Sequence, residues 1–346
     1  MDKVAIGIPA YRNPEVLRWV LESVLQQPHD DIRIFVFDNC FAESFDEVKK
    51  LILEIDDERI TYTANEKNIG PRENYKRCFE AISNYSYGMV LSADYGLAPE
   101  ALEILSNEIK RSSVDIAYPD VLLAKSLVTV PELTSSKNLA SDKGAIRGVE
   151  LLSSSEQIAE FFGPLNFGGE YTRFCFVGAL AKGHLFRGLS GIHSPYRFHG
   201  WEFQMSILLA SRAKDIALVH QPLLVSITGL PKSSQTVRPA TDWTRLEPIL
   251  ATYETVQGLA KKGLGKSFEL GRAEIRKRHL DLLDHYLSEY GQHRIVAWVA
   301  KGVLSLGISS PFALGAVFSL LARFRSKRLS FLGAVGRGEK PPTSEW

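Results

Sequence analysis

The chain has 346 residues, 45% of them hydrophobic, and a formal net charge of +1. That length holds one large domain or two smaller ones and buries roughly three quarters of the unfolded surface; the balanced charge points away from nucleic acid and from a strongly acidic partner. Three cysteines, Cys40, Cys78 and Cys175, lack metal-site spacing and suggest no disulfide framework, which fits a reduced, cytoplasmic setting.

The N-terminus carries no basic region followed by a long apolar core and cleavage site, so no secretory signal is expected. Val4 to Ile8 is a short unbroken apolar run, the pattern of a strand buried on both faces of a parallel sheet. Pro9 cannot donate to a ladder, so the strand is expected to stop there. Tyr11 and Arg12 follow on a loop at the carboxyl edge of the sheet, where open α/β sheets bind ligands. An aromatic and a guanidinium there suit a nucleobase and a phosphate. Pro14–Gln26 reads as a helix, with Asn13 as N-cap and proline at the first position.

Ile32–Phe37 is a second strand, ending in Asp38-Asn39. Phe45–Leu53 reads as a helix, Ile60–Thr63 as a strand, 65–70 as a loop and Pro71–Tyr85 as a helix. Gly88–Ser92 is a strand running into Ala93-Asp94-Tyr95-Gly96, Pro99–Arg111 a helix, and Asp115–Tyr118 the start of another strand. Strands alternating with helices at this spacing predict an α/β fold with a doubly wound sheet.

Four stretches in this order, IPAYRNPEVLRWVLESVLQQ, IFVFDN, NEKNIGPRENYKRCFEAI and GMVLSADYGLAPEALEIL, resemble the nucleotide-binding half of a family 2 glycosyltransferase with the GT-A fold. The variant with Asn68, Gly70 and Asn74 is similar to bacterial enzymes that build O-antigen or other surface glycans. The resemblance covers about residues 3–120, is weaker over 165–230, and ends there. It implies a Rossmann-like mixed sheet whose strand ends bind a nucleotide-sugar. Pro9, Tyr11 and Arg12 would lie along the donor, with Tyr11 flanking the base. Asp38 would accept from the base's N–H edge, and Asn68, Gly70 and Arg72 would line the ribose or diphosphate. Each also has a plain structural reading: a packing aromatic for Tyr11, a turn cap for Asp38, a turn residue for Gly70, a solvated helix residue for Arg72.

Family members carry two or three acids after the fourth of these stretches, in a D-x-D pattern that holds a divalent metal on the donor diphosphate. Here Ser92-Ala93-Asp94-Tyr95 leaves one carboxylate. Asp94 is therefore the metal candidate, for Mg²⁺ or Mn²⁺ completed by water and substrate oxygens. A cation such as Arg72 in place of the metal, or a fold without chemistry, stays open.

In the second half, Val149–Phe162 looks helical and 135–148 reads as a surface loop. His199-Gly200-Trp201-Glu202-Phe203 leads into a helix over Glu202–Ala213. By resemblance, Glu202 is the base that takes the acceptor's proton, with His199 as substitute and Trp201 packed on an acceptor sugar. A helix-start acid that only stabilises the dipole, and a core tryptophan, are the structural alternatives. Ile216–Ile227 reads as closing strands, with His220 either a core residue or a late metal ligand.

Residues 1–230 form the expected GT-A domain, 1–120 its nucleotide-sugar half and 121–230 its acceptor half. The character then changes. Residues 240–335 read as a helical region in which Ile295–Leu306 and Phe312–Leu321 are apolar and Arg323, Arg325, Lys327 and Arg328 follow. Gly-Ile-Ser-Ser-Pro at 307–311 interrupts a spanning helix, so two short helices lying on anionic lipid fit better than a span, with plain packing or an oligomer contact as the third option. Residues 336–346 read as a flexible tail.

The expected function is an inverting transfer of sugar from a nucleotide donor to a hydroxyl of a lipid-linked glycan. The expected location is the inner face of the cell membrane, bound through 295–330, with oligomerisation open. The rival expectation is a non-catalytic GT-A scaffold that binds a partner enzyme or lipid carrier. A nucleotidyltransferase ranks below both, because IPAYRNP lacks the glycine-rich basic loop such enzymes use.

Overall fold

The computed structural model describes residues 3–29, 31–39, 45–124, 148–153, 157, 176–190 and 200–227. All of them fall within one unit of the chain, Met1–Phe268. Its elements are strands β1 (Val4–Ala10), β2 (Ile32–Asp38), β3 (Ile60–Ala64), β4 (Tyr87–Val90), β5 (Tyr95–Leu97), β6 (Ile116–Ala124), β7 (Val149–Leu152), β8 (Leu180–Lys182) and β9 (Ile216–Ile227). The helices are α1 (Pro14–Leu25), α2 (Phe45–Ile55), α3 (Pro71–Ile82), α4 (Ala101–Ser112) and α5 (Gly200–Ala210), with a 3₁₀ turn over Gly183–Phe186.

The strands form one mixed sheet in the order β3-β2-β1-β4-β8-β6-β9-β5, with β7 beside β9. The first four in that order are parallel, as the βαβ spacing requires. Every residue of β1 is buried, which is why the stretch reads as apolar without alternation. Its even residues Val4, Ile6 and Ile8 pack with Leu17, Val20 and Leu21 of α1 and with residues of α2 and α4. On the opposite face Ala5 packs with Cys78, Phe79 and Ile82 of α3 and with Trp201 and Met205 of α5. The domain is thus three layers, helix–sheet–helix.

Gly7 shows how tightly α3 sits. A Cβ at Gly7 would lie 2.6 Å from Cys78 Cβ and 3.1 Å from its Cα, so relief requires the helix itself to move. Gly7→Ala should destabilise the domain by about 1–3 kcal/mol through overpacking. A thermal melt checks this; a midpoint equal to wild type would mean that α3 slides at no cost.

Several elements differ from expectation. β1 continues through Pro9 to Ala10, paired with β2 as Pro9↔Phe37 and Ala10↔Asp38. The β4 ladder ends at Gly7↔Val90, and Gly7 accepts from Leu91 on that side while Ala10 accepts from Asn39 on the other. Alternation therefore turns the missing N–H of Pro9 toward the side where the ladder has stopped, and no bond is lost. Asn13 precedes α1 in the left-handed region, φ 58°, and makes no side-chain cap. α3 ends at Ile82 rather than Tyr85, in a turn where Ser83 Oγ donates to Glu80 O and Tyr85 N to Ile82 O.

Val149–Leu152 is a strand antiparallel to β9 instead of the start of a helix. Ile216–Ile227 is one strand of twelve residues. Its first half lies between β6 and β7 and its second half between β6 and β5. β5 itself had no separate expectation. Among the described residues no helix is long and apolar enough to cross a membrane. The expectations for 135–147, 228–335 and the tail lie outside the described residues.

Candidate active site

Parallel strands that end together make one edge, and the register fixes which residues meet there. Ala10 is level with Asp38, Asp38 with Ala64, and Gly7 with Val90. Tyr11-Arg12, Asp38-Asn39, the 65–70 loop and Ser92–Asp94 therefore emerge along the carboxyl edge of the sheet, the ligand-binding side of open α/β folds.

One half of this edge is built from amides. Asn39 Nδ2 donates to Asn68 Oδ1 at 3.0 Å. Asn65 Nδ2 donates to Asn39 Oδ1 at 3.1 Å and to Asn74 Oδ1 at 2.9 Å. Asn74 Nδ2 donates to Phe37 O at 2.8 Å, which ties the start of α3 to the end of β2. The backbone N–H of Ile69 donates to Asn39 Oδ1 and that of Gly70 to Asn68 Oδ1, both at 2.8 Å. Gly70 has φ 82° with open space where a Cβ would stand, so it is needed there for its conformation and not for room.

Asp38 has no exposed surface, and Tyr62 donates its phenol proton to Asp38 Oδ2 at 3.0 Å. The carboxylate is thus wholly enclosed at the end of β2. Tyr11 is half-buried, with the Arg12 guanidinium over its ring at 5.1 Å, a cation–π arrangement. Arg12 and Asn13 both have left-handed backbone, φ 57° and 58°. Two such non-glycine residues in succession are costly and cluster at ligand-binding loops. Arg72 in the first turn of α3 pairs through Nε with Glu73 Oε1 at 3.1 Å.

The other half carries the acids. Ser92 Oγ donates to Asp94 Oδ1 at 2.6 Å, and Ile227 N donates to the Asp94 carbonyl at 3.1 Å. Tyr75 of α3 is buried, its ring packed between those of Phe176 and Trp201. Burial pushes the Tyr75 phenol well above its ordinary pKa; the charges of Glu202 and Asp94 push the same way, and the Ser92 hydroxyl opposes them. Both charges thus act on one phenol, although the two acids are 108 residues apart in sequence (202 − 94). Glu202 is in the first turn of α5, where ionised acids are favoured. Ser206 Oγ donates to Glu202 O at 3.0 Å and accepts from Phe176 N at 3.1 Å. Gly178 N in turn donates to Val90 O at 2.8 Å, which ties this segment to the end of β4.

Trp201 does not face an acceptor groove. It is 2% exposed, and its ring centroid lies 5.1 Å from that of Tyr75 and 6.2 Å from that of Phe176. The indole fills the core between α3 and α5, so packing is the reading its surroundings support. His199 lies outside the described residues. His220 meets Glu150 Oε2 at 3.4 Å across the β7–β9 pair. The residues that sequence reasoning did not single out are Tyr62, Asn39, Asn65, Ser92 and Tyr75. Two signals were present: an asparagine directly after Asp38, and a loop bracketed by Asn65 and Asn68.

Among the described residues no group of three or more His, Cys, Asp or Glu side chains is placed to hold a metal ion. The donor set still fits a hard cation of one kind. Mg²⁺ and Mn²⁺ accept one protein carboxylate when water and phosphate oxygens complete the shell, and the Asp94 carboxylate, which accepts from Ser92, is the oxygen donor that could serve.

The architecture has named relatives. Residues 5–151 match the family model described as glycosyl transferase family 2. That region is similar to a family 2 glycosyltransferase domain, and the fold is GT-A. The structure of TarS residues 1–349 from S. aureus superposes with a TM-score of 0.55 at 10% identity, covering 91% of this chain and 83% of that one. The same TarS fragment in complex with UDP-GlcNAc gives 0.54 at 12% identity, covering 93% and 92%. Longer TarS gives 0.50 at 11% identity; the match covers 83% of this chain but 44% of that one, so this chain spans less than half of it. At these identities the likeness is one of fold. No curated protein matches the chain.

Proposed function

We propose that this chain is an inverting glycosyltransferase that moves a sugar from a nucleoside-diphosphate donor to a hydroxyl of a glycan acceptor. The observation that carries the reading is the shared edge: the amide half with Asp38 and Asn68 beside the acid half with Asp94 and Glu202. The nucleotide would lie across the strand ends, with Pro9, Tyr11 and Arg12 along the base and ribose. Asn68, Gly70 and Arg72 would approach the ribose and diphosphate, and Asp38 would act as the buried acceptor at the base edge. UDP is the first donor base to test, because the TarS fragment was crystallised with UDP-GlcNAc and with UDP.

Glu202 takes the proton of the acceptor hydroxyl as that oxygen bonds to the anomeric carbon. The bond from that carbon to the diphosphate oxygen breaks on the opposite face, and its electron pair leaves with the nucleotide. Asp94 is the residue to hold a divalent metal, which when bound offsets the charge on the leaving diphosphate.

The acceptor class follows from the C-terminal sequence alone. The apolar stretches of 295–330, with Arg323, Arg325, Lys327 and Arg328 after them, suit attachment to anionic lipid, and a lipid-linked surface glycan on the cytoplasmic face would then be met at high local concentration. The incomplete D-x-D pattern favours one rival, a GT-A scaffold that binds nucleotide without turnover.

The deciding measurement is nucleoside-diphosphate release from a panel of UDP-, dTDP- and GDP-sugars, with and without Mn²⁺. Release from one class of donor, faster with Mn²⁺, is the expected result. Nucleotide binding without release from any donor would favour the scaffold.

A further inference from the structure

Four asparagine side chains meet at the carboxyl edge, and backbone groups fix the sense of every bond between them. A backbone amide can only donate. Ile69 N donates to the Asn39 side chain and Gly70 N to that of Asn68, both at 2.8 Å, so the atom each one meets is the carbonyl oxygen. Asn39 Nδ2 is thereby turned to Asn68 Oδ1, at 3.0 Å. Asn65 Nδ2 meets the same Asn39 oxygen at 3.1 Å and Asn74 Oδ1 at 2.9 Å, and Asn74 Nδ2 ends on Phe37 O at 2.8 Å. A network closed by main-chain groups at both ends has one orientation. Asn39 is its centre. Its side chain accepts two bonds and gives one, it is 3% exposed, and its own N–H donates to Ala10 O, just before Tyr11, at 2.8 Å.

Asn68 is the exposed member of the four. Its Oδ1 accepts from both Asn39 and Gly70, which fills its two lone pairs. What remains for a ligand is Nδ2, with protons to give. We propose that Asn39 is a positioning residue for donor binding: by occupying the Asn68 oxygen it makes Asn68 present N–H groups, and not its carbonyl, to the oxygens of the ribose and diphosphate. The proposal rests on the glycosyltransferase reading above, in which Asn68 approaches those groups. Diphosphate oxygens only accept, so an amide turned the other way would set oxygen against oxygen. An exposed side-chain amide turns readily unless it is held, and here the turn would break the bonds to Asn39 and to Gly70 together.

The test is a double-variant cycle on the full chain. It is read as Kd by titration with UDP, dTDP and GDP, using the one bound most tightly, and as KM and kcat for the matching sugar donor. Asn39→Asp keeps an oxygen for Ile69 N and Asn65 Nδ2 and puts a second acceptor where the donor to Asn68 stood. Asn68 must then turn its Nδ2 inward. Kd and donor KM should rise about tenfold or more, as for a lost hydrogen bond to a charged group, while kcat at saturating donor stays close to wild type. Asn68→Ala should weaken binding to a similar degree. Adding Asn39→Asp to Asn68→Ala should change Kd by less than about twofold more, because residues in one network are non-additive. If Asn39 only supported the fold, it would weaken binding by the same factor with or without Asn68.

A Kd for Asn39→Asp within about twofold of wild type, or a loss undiminished in the Asn68→Ala background, overturns the inference; wild-type turnover then leaves the glycosyltransferase reading standing. Wild-type protein that binds none of the three nucleotides overturns the donor site of that reading and the inference with it. Binding without release from any donor removes the chemistry, and Kd still decides the inference. Should Asn39→Asp fail to fold, because it places a charge among buried amides, the uncharged Asn39→Ser takes its place in the cycle under the same limits.

Discussion

Glu202→Gln should reduce sugar transfer by about 10²–10⁴-fold, the range general-base catalysis contributes, with donor affinity little changed. The substitution keeps the length of the side chain and the helical position in the first turn of α5. It leaves the Ser206 bridge intact, because that bridge uses the backbone oxygen of residue 202. What it removes is the ability to take a proton. The loss should appear in kcat, with nucleotide Kd the same in both proteins by titration. A normal rate in this variant would take the base role away from residue 202 and leave it as a helix-dipole acid. Trp201 and Tyr75 would pack as before in either case, so the thermal midpoint should stay near wild type.

Asp94→Asn should lower kcat by about 10²–10³-fold, the cost of deleting one group that meets developing charge, and should abolish the gain from added Mn²⁺. Asparagine keeps an oxygen that can accept from Ser92, so the local hydrogen bond has a partner in the variant. The charge that would hold the cation is gone. Full turnover in Asp94→Asn under saturating donor, with Mn²⁺ response retained, would remove the metal role from this residue.

The sheet was legible because a parallel strand buried on both faces does not alternate, as the run Val4–Ile8 shows directly, and because Ile32–Phe37 is apolar but for Arg33, with one face fully buried and the other partly covered. The helices between them announced themselves by apolar spacing and by proline at the first position of α1 and α3. Short strands were the failures. β5 has three residues, one of them Gly96, and has no partner nearer in sequence than β9. β7 has four, and its identity as a strand comes wholly from antiparallel pairing with β9, a contact that no local pattern encodes.

The candidate acids stood out because Asp38 and Asp94 sit at or just beyond the carboxyl ends of strands and Glu202 at the start of a helix. Their supports did not. Tyr75 reads as one more aromatic in a helix, and only the fold packs its ring against Trp201. Trp201 misled for the same reason: beside an acid, an exposed indole and a buried one look alike in sequence, and the packing of α5 on α3 decides between them.

β9 changes neighbours halfway along its length, and the exchange has a mechanical consequence. Its second half carries β5 through Tyr95↔Ser226, and its final amide, on Ile227, grips the carbonyl of Asp94. A cut just before Ser226 would spare the first two hundred residues yet unmoor Asp94. Tension applied to the polypeptide beyond Ile227 would be transmitted to that acid through a single peptide hydrogen bond and the three-residue ladder beside it.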